Sequence, residues 1–165
     1  MTDERLGDGL WAALRSLPRG SGVVFRHYAT PARERRMLFR HVVRIARARG
    51  LVVVRAGERA GFGEDGVHGA ARGSGLRTAP AHGRLEAVAA VRRGADVLFV
   101  SPVFGTRSHP GGEVLGVRKA RRIVQGLPVV AIALGGMDAR RFRGMAGFDG
   151  WAAIDAWGAG GSGAK

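Results

Sequence analysis

The sequence contains no cysteine, only two lysines and no run of about 20 apolar residues. The lack of cysteine excludes disulfides and thiolate chemistry and is compatible with a reducing compartment. A bilayer span needs roughly 20 apolar residues, and the N-terminal MTDERLGDGL lacks the apolar core of a signal peptide. We therefore expect a cytoplasmic protein with no membrane partner. Its 165 residues are enough for one domain with a sizeable core.

The charge is strongly positive, with 27 Lys and Arg against 13 Asp and Glu and a formal net charge of +14. The arginines are spread over the predicted helices as singles and as pairs such as Arg35-Arg36 and Arg121-Arg122. Aromatic residues do not interleave with them, as a base-stacking surface would require. We therefore expect binding to nucleic acid to be only non-specific and sensitive to salt.

Short apolar runs alternate with segments of helical periodicity, a pattern that predicts βαβ units and a parallel sheet. The predicted strands are residues 22–26, 51–54, 66–68, 76–81, 96–100, 128–132 and 150–154. Counting a first strand that is truncated or missing at Met1 to Asp3, the fold class is α/β, a (β/α)8 TIM barrel. The alternative is an open doubly wound sheet.

The region around the fourth strand is short of helices, because Gly69 to Gly75 leaves no room for one. The predicted barrel domain covers residues 1–157. The low-complexity tail GAGGSGAK, residues 158–165, is predicted to be disordered.

The stretch Asp96 to Pro110, DVLFVSPVFGTRSHP, reads as a buried strand that ends in a polar loop. Thr106, Ser108 and their neighbours offer hydroxyl, guanidinium and imidazole groups to an anion. The alternative interpretation is a polar surface loop without a ligand.

Two other strand ends are candidate anion sites, because parallel barrels bind ligands at the carboxyl ends of their strands. Arg26 ends the strand GVVFR. Gly135 and Gly136 follow the strand at 128–132, where their N–H groups would face a phosphate. A tight turn between a strand and a helix is the alternative reading of the two glycines.

Several segments carry a family resemblance. SPVFGTRSHP resembles the G-P-V-F-x-T-x-[ST]-K loop of the thiamine phosphate synthase and TenI family. GADVLFV resembles that family's G-A-D-Y-V strand, VVAIALGGM its V-A-I-G-G-I turn and DGVHG its D-G-V-H-L-G segment, all in the same order. The resemblance covers nearly the whole chain and implies a thiamine-biosynthesis-related barrel that binds a small phosphorylated thiazole-type ligand.

Synthases of this family join an aminopyrimidine diphosphate to a thiazole phosphate and release pyrophosphate, assisted by Mg²⁺. The resemblance implies that Arg26, Thr106 and Ser108 contact anions, together with the Gly135-Gly136 turn. The lysines of the family motifs are replaced here by Tyr28 and His109.

The usual Mg²⁺ ligands are also missing from the sequence. The family's first metal acid aligns with Arg55-Ala56, and Ala70 to Gly75 contains no acid. Only Glu58, Glu64 and Asp65 lie nearby, and Mg²⁺ needs well-placed oxygen ligands. These differences argue against full synthase activity.

His82 follows the fifth strand in TAPAH, which resembles the family's S-x-H. In TenI-type proteins that histidine is linked to an aromatising tautomerisation of the thiazole phosphate, a proton transfer suited to imidazole. The alternative is a histidine that caps the next helix or is hydrogen-bonded at the barrel mouth. Asp155 stands where the family has a serine beside the phosphate, and a carboxylate there repels phosphate unless an arginine pairs with it.

The sequence leaves two rival functions open. One is a non-catalytic barrel that binds another metabolite or a protein, and the other is a salt-sensitive nucleic-acid binder. It also leaves open whether an enzyme would be a synthase-like transferase or a thiazole tautomerase, and whether the chain forms a homo-oligomer.

Overall fold

Strands and helices alternate along the chain in a computed structural model, which describes residues 1–57, 63–69, 73–106 and 111–157. The strands in these ranges are β1 (Gly22–Phe25), β2 (Val52–Ala56), β3 (Gly66–His68), β4 (Leu76–Ala81), β5 (Val97–Val100), β6 (Val130–Leu134) and β7 (Gly150–Ala152). The helices are α1 (Gly9–Ser16), α2 (Ala32–Arg49), α3 (Arg84–Arg92), α4 (Gly116–Val124) and α5 (Ala139–Phe142). All seven complete strands predicted from the sequence are present, and the α/β class is confirmed.

The chain divides into two compact units, and the first comprises Met1–Leu76 with the segment that begins at Ile154. Its strands β1, β2 and β3 pair in parallel, with Val24 opposite Val54. Its core joins the sheet to α1 and α2 through buried side chains that include Leu14, Phe25 and Val42. Helix α2 ends at Gly50, which adopts φ +64° and donates its N–H to the Ala46 carbonyl. Gly50 therefore caps the helix, because this left-handed conformation favours glycine.

The second unit is formed by Arg77–Ala153, and its strands β4, β5, β6 and β7 also pair in parallel. Leu98 of β5 lies opposite Ala131 of β6. Both are buried, in a core that extends to Ala87 of α3 and Ile123 of α4. The alternation of strand and helix thus gives each unit its own apolar centre.

Three aspartates occupy equivalent positions at the amino ends of strands. Asp65, Asp96 and Asp149 each precede a strand, and each carboxylate accepts a backbone N–H from the neighbouring strand, at 2.7, 2.7 and 2.8 Å respectively. Each aspartate also donates its own N–H to a carbonyl of that strand. These paired bonds fix the register of each strand pair at its amino ends, whereas ligands are expected at the carboxyl ends.

The N-terminal residues lie beside β1. The Thr2 N–H donates to the Val24 carbonyl at 2.8 Å, and the Thr2 hydroxyl accepts the Arg26 N–H at 3.1 Å. Met1 to Asp3, where a truncated or missing first strand is predicted, form no strand in the structure. Closure into an eight-stranded barrel stays a prediction.

The described residues between β2 and β4 contain no helix. The predicted shortage of helices around the fourth predicted strand, which is β3, stays a prediction. No helix within the described ranges combines the length and the apolar character that a membrane crossing needs. The predicted tail, 158–165, lies outside the described residues.

Candidate functional site

The candidate site in the second unit lies where β4, β5 and β6 end. His82 follows β4, Ser101 follows β5, and Gly135 and Gly136 follow β6. Backbone hydrogen bonds join these ends, from Ser101 N–H to the Ala81 carbonyl at 3.2 Å and from the loop after β5 to the end of β6. Because the strands are parallel and in register, their carboxyl ends share one edge of the sheet.

His82 is held by two hydrogen bonds while it stays exposed. Its backbone N–H donates to Oε2 of Glu86 at 2.7 Å, and its ring Nδ1 lies 2.7 Å from the Ser101 carbonyl oxygen. A carbonyl oxygen can only accept, so we assign the proton of the neutral ring to Nδ1. The lone pair is then on Nε2, which is the tautomer that accepts a proton at that atom. The ring bond foreseen in the alternative interpretation is thus present, and it leaves Nε2 able to act as a base.

Gly135 and Gly136 form a turn that requires glycine. Their φ angles are +93° and +59°, and a Cβ on Gly135 would come within 2.7 Å of the Pro102 Cα. The Gly135 carbonyl accepts the Phe104 N–H at 3.1 Å, while neither glycine N–H has a partner among the described residues. Two adjacent N–H groups at this edge suit an oxyanion.

Arg141 is a candidate ligand contact that the sequence analysis missed. Its Nη1 donates to the Gly136 carbonyl, and its guanidinium lies 4.9 Å from the centre of the Phe104 ring. Asp138 caps α5 by accepting the Arg141 N–H at 2.8 Å, and its other oxygen lies 4.0 Å from the Arg141 Nε. The only sequence signal was the Arg140-Arg141 pair just after the two glycines. Arg141 brings a positive charge to the turn with about half of its side chain exposed.

Two other predicted contacts belong to the loop after β5. Thr106 is half-buried. Ser108 lies outside the described residues, as do Arg107 and His109. Their proposed roles therefore rest on the resemblance.

Arg26 and Asp155 belong to the first unit. Arg26 follows β1 as predicted, is half-buried, and its guanidinium carbon lies 5.8 Å from the centre of the Tyr28 ring. It also affects His68 on β3, whose pKa is lowered to about 4 by burial and by the positive charge of Arg26. Asp155 lies in the short 3₁₀ turn Asp155–Trp157.

Two of the three acids considered as substitute Mg²⁺ ligands already have partners within the protein. Glu64 lies 3.3 Å from the Nε of Arg55, and both side chains are almost fully buried. Asp65 accepts the Val53 N–H at the amino end of β3, away from the carboxyl ends of the strands. Glu58 is outside the described residues. In the part of the chain that the structure describes, no three His, Asp or Glu side chains converge to hold a metal ion, so these residues do not fit Mg²⁺.

Solved structures with a similar fold were found by comparison. Thiamine phosphate pyrophosphorylase from Pyrococcus furiosus superposes with a TM-score of 0.77 at 23% identity, over 96% of this chain and 86% of that one. The HpcH/HpaI aldolase from Desulfitobacterium hafniense DCB-2 gives a TM-score of 0.51 at 17% identity, over 93% and 84% of the two chains. At these identities the likeness concerns the fold, which is an α/β arrangement of parallel strands.

Comparison with curated proteins gives no match. The family model described as thiamine monophosphate synthase matches residues 78–157. That segment includes His82, the loop after β5 and the Gly135-Gly136 turn. This match and the likeness of fold to thiamine phosphate pyrophosphorylase support a member of the thiamine phosphate synthase and TenI family.

Proposed function

We propose that the protein is related to thiamine biosynthesis and binds a phosphorylated thiazole-type ligand at the carboxyl ends of its strands. One observation carries the proposal. The family match over residues 78–157 coincides with the unit in which His82 and the two glycines gather at one edge. The finer fold that accompanies the proposal is the (β/α)8 barrel predicted from the sequence.

The phosphate of the ligand would be bound by the turn after β6. The N–H groups of Gly135 and Gly136 supply two donors, and the Arg141 guanidinium beside them supplies a charge. Charge-assisted bonds of this kind are stronger than neutral ones. Arg26, Thr106, Ser108 and Asp155 stay candidate contacts on the resemblance.

His82 would act as the proton-transfer group. Its Nε2 carries the lone pair, so it would take a proton from a ring carbon of the ligand and return it to another. The Ser101 carbonyl accepts the Nδ1 proton at 2.7 Å and would stabilise the imidazolium formed in between. This chemistry is a tautomerisation, and it needs no metal ion.

Synthase chemistry is supported less well. Departing pyrophosphate needs cations placed around it, and Mg²⁺ usually provides much of that stabilisation. Here the first metal acid of the family is replaced by Arg55, and Glu64 forms an ion pair with that arginine. We therefore propose ligand binding that does not depend on Mg²⁺.

A thermal unfolding titration with thiazole phosphate, with and without Mg²⁺, tests the proposal. Ligand at about 100 times its dissociation constant should stabilise the native protein by roughly 2.7 kcal/mol. We expect a saturable rise of the midpoint that Mg²⁺ does not change. A midpoint that does not move at any concentration would overturn the phosphate site and favour a barrel with another partner.

Matched variants sharpen this test. Arg141→Gln should weaken the binding about tenfold or more, whereas Arg140→Gln, at an exposed neighbouring position, should leave it unchanged. Arg26→Ala tests the contact expected in the first unit. His82→Gln should still bind the ligand but lose tautomerase activity. Equal effects of the two arginine variants would rule out the assigned role of Arg141.

A further inference from the structure

Helix α2 carries an unusual concentration of charge. Its 18 residues, ARERRMLFRHVVRIARAR, include seven arginines and one glutamate. At about 100° per residue, five of the arginines fall within a band roughly 100° wide along the helix. This band, which we call the arginine face, is formed by Arg33, Arg36, Arg40, Arg44 and Arg47. All five are exposed, while the helix packs into the core through its buried residues Phe39, Val42, Val43 and Ala46.

The other two arginines of α2 have clear structural partners. Arg35 donates to the His27 carbonyl at 2.5 Å and to the Ala56 carbonyl at 2.8 Å. Arg49 donates to the Leu17 carbonyl at 3.0 Å. They fasten α2 to the chain segments beside it. Arg35 and Arg49 therefore have a structural role, in contrast to the exposed arginines of the arginine face.

The arginine face makes few contacts within the protein. The side chains of Arg33, Arg36 and Arg44 form no hydrogen bond or ion pair with other residues in the described ranges. Arg47 approaches the Gly63 carbonyl only at 3.5 Å. Contacts within the fold thus do not explain why arginine stands at positions 33, 36 and 44.

The arrangement carries an energetic cost in the isolated protein. Consecutive arginines of the face lie three or four residues apart and form four pairs of like charge, namely Arg33–Arg36, Arg36–Arg40, Arg40–Arg44 and Arg44–Arg47. Each such pair destabilises a helix by roughly 0.2–0.5 kcal/mol. A partner that carries a row of negative charges would offset this repulsion.

The chemistry of the arginine face favours a partner whose row of negative charges consists of phosphates. The face covers 15 residues from Arg33 to Arg47, which rise about 21 Å along the helix and span about six base pairs of duplex. Guanidinium groups match phosphate oxygens in a two-point geometry. Met37 is the large apolar residue in the band, 65% exposed, and the band has no aromatic side chain. A protein partner would require an apolar centre, and single strands would require aromatic platforms.

We propose that the arginine face binds the phosphate backbone of duplex nucleic acid without reading its base sequence. Because contact with phosphates positions a protein but does not distinguish bases, affinity should be similar for unrelated sequences. Binding should fall steeply with salt, with a slope of about −0.9 in log K against log salt for each phosphate neutralised on B-form DNA. This surface lies in the first unit, and its use does not depend on the proposed ligand site.

Fluorescence anisotropy with a labelled duplex of about 20 base pairs, from 50 to 200 mM salt, tests the proposal. The test variant replaces Arg33, Arg36 and Arg44 by glutamine, which preserves helix propensity. The control variant replaces three exposed arginines of the second unit, Arg92, Arg118 and Arg122, by glutamine. Each variant removes three positive charges from +14, so both have a net charge of +11.

We expect the test variant to bind at least tenfold more weakly at 100 mM salt, with a slope flatter by about 2.7, three times the value for one phosphate. The control should change both quantities much less. Equal losses in the two variants would overturn the proposal, because net charge alone would then explain binding. Duplex DNA and duplex RNA are compared as separate probes, and tighter binding to single strands than to either would also overturn it.

Two further measurements keep the result interpretable. Replacing the same three arginines by lysine preserves the charge and should therefore preserve the salt slope. A lysine variant with a flattened slope would contradict the proposal, because the loss would then come from damage to the helix. A polyglutamate peptide should compete poorly with the duplex. Binding of that peptide at equal affinity, lost in the test variant but not in the control, would assign the face to an acidic protein instead.

Discussion

Replacing His68 by glutamine should change how the stability of the protein depends on pH. His68 lies on β3 and is only 7% exposed. Burial disfavours the charged imidazolium, and the positive charge of Arg26 adds to that effect, so the pKa of His68 is lowered to about 4. In the unfolded chain a histidine ionises near pH 6.5.

The sign follows from where the proton binds. Between about pH 6.5 and pH 4 the unfolded chain binds a proton at His68 and the native protein does not, so acid favours unfolding. The contribution of uncharged His68 to the free energy of unfolding is complete above pH 6.5 and is lost as the pH falls to about 4. At roughly 1.36 kcal/mol per pH unit, the 2.5 units between the two pKa values correspond to about 3 kcal/mol. His27, whose pKa burial also lowers, contributes in the same direction and is unaffected by the substitution.

Urea denaturation from pH 8 to pH 4.5 measures the free energy of unfolding of both proteins. We expect the wild type to lose about 2 kcal/mol more than His68→Gln between pH 7 and pH 5. Arg26→Met should raise the pKa of His68 only part of the way, because burial is the larger cause, and Arg26→Lys should leave it low. A difference between wild type and His68→Gln that does not vary with pH would refute the reasoning, as would an NMR titration of His68 with a midpoint near 6.5.

Two other substitutions test how the sites are built. Gly135→Ala should destabilise the protein by about 3 kcal/mol, since a left-handed residue costs roughly 1–2 kcal/mol and the new Cβ would also clash with Pro102. Gly126 has φ +69° and open space around it, so Gly126→Ala should cost only the roughly 1–2 kcal/mol of the left-handed conformation in the same denaturation assay. Equal losses of stability in the two variants would exclude a contribution from the clash. Glu64→Ala should cost roughly 3–5 kcal/mol by leaving Arg55 buried without its partner. Combining Glu64→Leu with Arg55→Met should cost less, and a double variant less stable than Glu64→Ala would argue against this account.

The fold could be predicted largely because its signals are local. A run such as Val97–Val100 is apolar and bounded by breakers, so a strand is expected wherever the partner strands lie. Gly50 ends α2 and Asp138 begins α5 through equally local signals, since each acts on backbone groups within one turn. The hydrogen bonds of Asp65 and Asp149 could not be predicted in the same way. Each depends on which residue of another strand lies alongside, and that register is a property of the sheet.

The candidate site could be predicted only in part. The sequence order indicated His82 and the two glycines, because each follows a predicted strand. It gave no sign that the Ser101 carbonyl fixes the tautomer of His82, since that contact joins two strand ends 19 residues apart. Arg141 was missed for a related reason. Among so many arginines, only the fold distinguishes the one whose guanidinium meets the turn after β6.

The positions of the acids decide which chemistry the strand ends can support. Asp65, Asp96 and Asp149 hold the amino ends of strands, and Glu64 neutralises Arg55. Among these described residues the carboxylates are therefore committed to backbone N–H groups or to an arginine, and they are not available to a divalent cation. What the strand ends of the second unit offer instead is a guanidinium, adjacent N–H groups and an imidazole whose Nδ1 is bound to a carbonyl. An anionic ligand that undergoes proton transfer matches those groups, and we expect it to bind as tightly in EDTA as in Mg²⁺.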